Sequence, residues 1–383
     1  MSDSFVVFGA PVLEQEEIDA VVETMRSGWI GSGPRSAAFE DAFSDFKGGS
    51  GYPVALNSCT AALHISLIAA DLSDGDEVIT TPLTFCATVN AILHAGLKPV
   101  LADIDGETLN ICPREIESKI TENTRAILLV HFAGRPCEMD AIMDIARRHD
   151  LIVIEDCAHA IETTYRNQPA GTFGDFSCFS FYVTKNITTA EGGMILCRNE
   201  ADAARCRVLA LHGMSKDAWK RFSDEGYKHY QVIERGFKYN MTDIQAAIGI
   251  EQLKKINRFR AARESIWYQY SSAFANLPIV LPAPIEEDME HAYHLYTIQL
   301  DKEVCGISRD DFLMAMTKAG IGTGVHYTCM AEQPYYQKEL GWSPQDTPIG
   351  TQVGRQICSL PISAKLSAGD VENVISAVRC ILN

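Results

Sequence analysis

The chain has no run of Lys and Arg long enough to form a basic patch, and 33 basic against 50 acidic side chains give its 383 residues a formal net charge of −17. Such a surface repels phosphate backbones and anionic headgroups, so neither nucleic acid nor membrane is expected as a partner. No apolar stretch approaches the roughly 18 residues of a membrane span. The start, Met1-Ser2-Asp3-Ser4, has an acid where a secretory signal would be basic. Also missing are C-x-x-C spacing, a cluster of zinc ligands, internal repeats and low-complexity tracts. The 12 cysteines include Cys178 and Cys197 inside apolar strand-like runs, which reads as reduced thiols in a cytoplasm rather than a disulfide or metal framework. Hydrophobic content of 46% and charged content of 22% are those of an ordinary globular protein.

What is present is an alternation of strand and helix patterns through the first 200 residues, the mark of an α/β architecture with a mostly parallel sheet covered on both faces. Apolar runs at 52–57, 77–80, 99–103, 126–131, 151–156, 179–182 and 194–197 predict about seven strands, apolar throughout as strands buried on both faces are. Helices are predicted to begin near Thr60 and Cys86. After Arg198 the texture turns helical: Ile244, Ala247, Ile248 and Leu253 keep helical spacing into the charged stretch 254–263, predicting one long connecting helix. Pro278, Pro282 and Pro284 mark a loop, followed by a predicted strand at 293–300 and a helix at 310–318. This parses into a three-layer α/β/α domain over 1–254 and a smaller α+β domain over 255–383.

In open α/β sheets ligands bind beyond the carboxyl ends of the strands, and polar residues stand at those ends here. Asn57-Ser58-Cys59-Thr60-Ala61 offers hydroxyls at a helix start, which suits a phosphate and equally suits an ordinary N-cap. Phe85 stands at the same rim, as a ring to stack on a planar ligand or a simple surface aromatic. His131 and Asp156 close two further strands, and His159 follows. Lys185 lies just beyond an apolar strand, and Glu191-Gly192-Gly193 permits close backbone approach. Pyridoxal phosphate chemistry needs a Schiff-base lysine, a carboxylate for the pyridine nitrogen and an anion cradle; one rim supplies all three. A solvated lysine and a capping aspartate remain the alternative.

The runs Glu155-Asp156-Cys157-Ala158-His159-Ala160, Ser180-Phe181-Tyr182-Val183-Thr184-Lys185 and Glu191-Gly192-Gly193 resemble the DegT/StrS nucleotide-sugar aminotransferases, fold-type I pyridoxal phosphate enzymes. Ser27 to Pro34, Tyr239 to Ala247 and Gly320 to Tyr327 resemble further motifs of the family, so the likeness spans nearly the whole chain. It implies that Lys185 holds the cofactor and shuttles the proton, and that Asp156 pairs with the pyridinium nitrogen. Thr60, Ala61 and Ser180 would bind the phosphate, with Asn240 reaching it from a neighbouring subunit of a homodimer. Phe85 would stack on the ring, and His159 would sit near its phenolic oxygen. The implied reaction is a ping-pong transfer of the amino group of L-glutamate, released as 2-oxoglutarate, through pyridoxamine phosphate to the keto carbon of a nucleotide-linked sugar. Tyr239-Asn240, in place of the Asn-Tyr-Arg or Asn-Phe-Arg of many members, is similar to members that make UDP-4-amino-4-deoxy-L-arabinose or aminate UDP-4-keto-6-deoxyhexoses. Amination at C3, other chemistry on the same cofactor, and a binding protein of the same fold are the rivals; loss of Lys185 or Asp156 would mark the last. Trp29, His326, Arg221 and Lys238 are candidate substrate contacts, and Arg26, Lys216 and Lys220 further cations for a diphosphate. No resident metal is expected.

Overall fold

The computed structural model describes residues 5–215 and 230–382. Nine strands fall in the first 200 residues: β1 (Tyr52–Leu56), β2 (Glu77–Thr80), β3 (Lys98–Leu101), β4 (Thr124–Val130), β5 (Ile152–Asp156), β6 (Thr164–Tyr165), β7 (Gln168–Pro169), β8 (Phe176–Ser180) and β9 (Gly193–Cys197). Seven of them form one sheet in the order β1-β9-β8-β5-β4-β2-β3. The pairs β2–β3, β2–β4, β4–β5 and β5–β8 are parallel; helices cross over between the first strands, whereas β5 reaches β8 through the short β6–β7 hairpin. Strand β9 runs against both neighbours, β8 and β1. Residues 181–192 contain no helix, β9 returns antiparallel alongside β8, and the connection between them carries Lys185.

Helices cover both faces of the sheet. Cys59–Ala69 buries nearly all its side chains because it lies between the sheet and the helices Cys86–His94 and Glu200–Ala210. On the opposite face, Met139–His149 packs Met139, Ile142, Ile145 and Ala146 onto Ile127, Leu129 and Val153. Gly193 is required where β9 passes the start of helix Cys59–Ala69: a Cβ there would lie 2.4 Å from the Ser58 carbonyl and 2.6 Å from Cys59 N.

The expected single helix through 244–263 is two, Asp243–Lys254 and Ile256–Phe274. Lys255, between them, sends Nζ to Glu14, Glu16 and Glu17 at 2.9, 3.1 and 2.8 Å, contacts that helical periodicity cannot reveal. Two hydrophobic cores divide along the second helix. Ile256 and Phe259 pack with Phe39, Phe43 and Phe181, whereas Ile266, Trp267, Tyr270 and Phe274 pack with Phe312, Val374 and Val378. The second core lies against a two-stranded antiparallel sheet, Tyr296–Gln299 with Ile357–Leu360. Residues 5–12 cross between the cores: Val6 bonds to Gly320 and Gly322, and the Val12 carbonyl accepts from Gln252 Nε2. No helix among the described residues is long and apolar enough to cross a membrane.

Candidate active site

Beyond the carboxyl ends of β1, β2, β5 and β8 lies a cavity of about 640 Å³ lined by Thr60, Thr88, Asp156, His159, Ser180 and Lys185, among others. Asp156 is the last residue of β5, 5% exposed, and accepts from the Ala158 N–H at 3.0 Å and Thr88 Oγ1 at 3.1 Å. Thr88 in turn lies 2.8 Å from Thr84 Oγ1, so the carboxylate is held by a short chain of hydroxyls. Burial pushes its pKa up, against the pull of these donors and of the Lys185 charge. The neighbouring Glu155 points to the other face of the sheet, as strand alternation requires. There it accepts from the N–H groups of Gly171, Phe173 and Gly174 and from His131 Nε2 at 2.9 Å. Two adjacent acids thus separate into one that knits the fold and one that faces the cavity.

Lys185 has no hydrogen-bond partner for Nζ among the described residues. Burial lowers its pKa to about 8, although the negative potential of Asp156 and Cys59 pulls it back up. An unpaired, desolvated amine facing a carboxylate across a cavity is the donor set for a carbonyl-bearing cofactor with a cationic ring nitrogen. At the start of helix Cys59–Ala69, Thr60 keeps its hydroxyl and N–H unpartnered among the described residues, whereas the Ala61 N–H is taken by the capping Ser58 Oγ at 3.1 Å. Thr60 and Ser180 therefore face the cavity as a phosphate cradle requires, while Ala61 is buried and off the cavity wall. Phe85 is 58% exposed and lines the same cavity, available to lie on a ring. These residues fit pyridoxal phosphate.

His326 also lines the cavity, with Nδ1 2.9 Å from Ser359 Oγ and its ring stacked on Phe8. Burial and then the Lys185 charge lower its pKa to about 4, so it acts there as a neutral imidazole. His131, the rim candidate at the end of β4, does not reach the cavity: it is committed to Glu155 and accepts from the Cys137 N–H at 3.1 Å. Tyr327, 3.1 Å from His159, is a cavity residue that strand-end reasoning missed. Its partner is 168 residues away in sequence, and a strand-end search has no signal for it.

Trp29, Lys238 and Asn240 lie outside this chain's own cavity and gather elsewhere. Asn240 Nδ2 donates to Ser32 Oγ at 2.5 Å and its Oδ1 accepts from Lys238 Nζ, while Trp29 Nε1 donates to the Ser32 carbonyl at 3.1 Å. Arg221, with Lys216 and Lys220, falls outside the described residues.

The profile of the DegT/DnrJ/EryC1/StrS aminotransferase family matches residues 11–379. The spore coat polysaccharide biosynthesis protein SpsC of Bacillus subtilis is 44% identical over 379 residues, covering 99% of this chain and 97% of its own. The fold is shared with Helicobacter pylori PseC, an aminotransferase involved in pseudaminic acid biosynthesis (TM-score 0.92, 30% identity, 99% of each chain). It is shared equally with the PLP form of Spr1654 from Streptococcus pneumoniae (TM-score 0.90, 31% identity, 99% of this chain and 100% of that one). An unpaired lysine opposite a strand-end aspartate, on a fold matched end to end, leads to one conclusion: the chain belongs to the DegT/DnrJ/EryC1/StrS family and is a fold-type I, pyridoxal phosphate-dependent sugar aminotransferase.

Proposed function

We propose that the enzyme transfers the amino group of L-glutamate to C4 of a nucleotide-linked keto sugar, a UDP-4-keto-pentose or UDP-4-keto-6-deoxyhexose. The observation that carries the nucleotide is a second pocket of about 630 Å³ that shares Thr84, Phe85, Val325 and Tyr327 with the cofactor cavity. Its lining includes Asn90, Gln333 and Tyr335 and no Lys or Arg, which suits a neutral planar base rather than a phosphate or a carboxylate. A free monosaccharide would leave it empty. C4 follows the resemblance of Tyr239-Asn240 and of the run Ile321 to His326.

Pyridoxal phosphate, when bound, supplies the electron sink that lets a carbon bearing the amino group lose or gain a proton. Lys185 would hold it and, once displaced by the donor's amine, would move that proton, its free amine having a pKa lowered by burial to about 8. Asp156 would meet the pyridine nitrogen, Phe85 would lie on the ring, and Thr60 and Ser180 would take the phosphate. His326 stands on the sugar or donor side.

The homodimer completes the site in this reading. Helix Gln15–Ser27 exposes Ile18, Val22 and Met25 on one face, continuous with exposed Trp29 and Ile30, an apolar surface that a second copy would cover. The cluster of Trp29, Lys238 and Asn240 borders that surface, and in this reading the two-fold axis brings it to the partner's cavity. The cysteines among the described residues are free thiols, which suits a reducing compartment, and we place the enzyme in the cytoplasm.

Two experiments test this. Adding L-glutamate without sugar to the PLP-loaded enzyme is expected to convert the visible band to the pyridoxamine form; an unchanged band would reject glutamate as donor. UDP-4-keto sugars should then regain the original spectrum and carry the new nitrogen at C4 by NMR, and nitrogen at C3 would refute the position.

A further inference from the structure

His159 Nε2 and Tyr327 Oη lie 3.1 Å apart, with their rings 16° from parallel. The direction of that hydrogen bond is set by the other imidazole nitrogen. The Ala133 N–H donates to His159 Nδ1 at 3.3 Å, so Nδ1 presents a lone pair. The imidazole is therefore neutral and carries its one proton on Nε2. Burial, and then the positive charge of Lys185, disfavour a second proton. Nε2–H donates, Tyr327 Oη accepts, and the phenol's own hydrogen has no acceptor among the described residues. Behind His159, the His294 ring packs at 4.4 Å, and its Nδ1 lies 2.8 Å from Asn186 Oδ1. Asn186 is itself tied to Glu162 at 2.6 Å, and Glu162 pairs with Arg263, so the imidazole rests on a fixed polar column.

Pyridoxal phosphate has four polar features to satisfy. Lys185 takes the aldehyde carbon, Asp156 the ring nitrogen, and Thr60 with Ser180 the phosphate, which leaves the phenolic oxygen. The family resemblance implies that His159 sits near that oxygen, yet the single N–H of His159 is engaged. We infer that Tyr327 donates the hydrogen bond to the cofactor's phenolic oxygen, and that His159 is a positioning residue that orients Tyr327. The inference rests on the cofactor and not on the identity of the sugar. Asp156, Lys185, Cys59, Tyr182, Glu191, His159 and His326 are the other titratable groups among the described residues that line this cavity. Cys86 adds its influence on Tyr327, and burial keeps the phenol protonated.

Tyr327→Phe tests it in the PLP-loaded enzyme, with the pH midpoint of the visible absorption change as readout. A donor to the phenolic oxygen favours its anionic form, so removing the donor should raise the midpoint by about one unit, tenfold in proton affinity, with the cofactor still bound in full. An unchanged midpoint with full cofactor would overturn the inference. The apoprotein gives a second, cofactor-free readout in the ¹⁵N NMR spectrum of His159. Nε2–H in both wild type and Tyr327→Phe is expected, and an Nδ1–H tautomer in the wild type would equally overturn it.

Discussion

Two groups of side chains carry most of the described residues singled out in the sequence, and they differ in burial and in hydrogen bonding. The Lys185 group lies at the carboxyl ends of sheet strands, with Asp156 and His159 buried and Lys185 shifted to about pKa 8 by desolvation. The Asn240 group lies where the loop after Trp29 meets the segment before helix Asp243–Lys254, with Trp29 52% exposed and its polar atoms bonded to one another. The first is a set of potentials waiting for a ligand. The second is already satisfied within the chain and lies beside the exposed side chains of Trp29 and Ile30. Chemistry needs desolvated, shifted groups, whereas a contribution to another subunit's site needs a pre-organised, outward-facing one.

The predictions sharpen that contrast. Lys185→Ala should abolish the covalent visible band and lower turnover by more than about 10³-fold while the protein folds normally, since the change removes a desolvated amine with no hydrogen-bond partner among the described residues. The pH dependence of cofactor capture checks the same residue. Only the neutral amine attacks a carbonyl, and burial places Lys185 at about 8, so the capture rate should rise with pH to a half-maximum near pH 8. A half-maximum above pH 10 would mean an ordinary exposed lysine.

Asp156→Asn keeps the shape and removes the charge proposed to face the ring nitrogen. Turnover should fall by about 10²-fold with cofactor retained, measured as kcat at saturating substrates. In the second group, Asn240→Asp should weaken retention of pyridoxal phosphate by about tenfold, followed by equilibrium dialysis, through repulsion of the phosphate. Phe85→Ala should weaken cofactor binding by a factor of about five to ten with almost no change in melting temperature, because this ring is 58% exposed.

Much of the first group was legible because strand-end positions follow from hydrophobic runs. The run from Phe176 to Phe181 intersperses Ser among Phe and Cys, and its apolar end predicts a strand at 179–182, whereas the ladder runs Phe176–Ser180 and the chain leaves it at Phe181 to form the lysine-bearing hairpin. The antiparallel course of β9 could not be read from the run that forms it. Contacts between distant segments left no sequence signal: Lys255 with Glu14 and Glu17, Thr88 with Asp156, and Tyr327 with His159. His131 and Asp156 look alike as strand-end polar residues, and their pairing partners alone send one to the fold and the other to the cavity.

The central claim is that the two groups act together across a two-fold interface, and subunit complementation tests it most directly. Lys185→Ala and Asn240→Asp variants are mixed, dissociated and reassembled, and turnover is assayed at limiting pyridoxal phosphate. If Asn240 serves the partner's cavity, each mixed dimer has one site with both defects and one intact, and activity should recover to about a quarter of wild type. If Asn240 serves its own cavity, every mixed site carries one defect, and activity no higher than that of the unmixed variants would contradict the account.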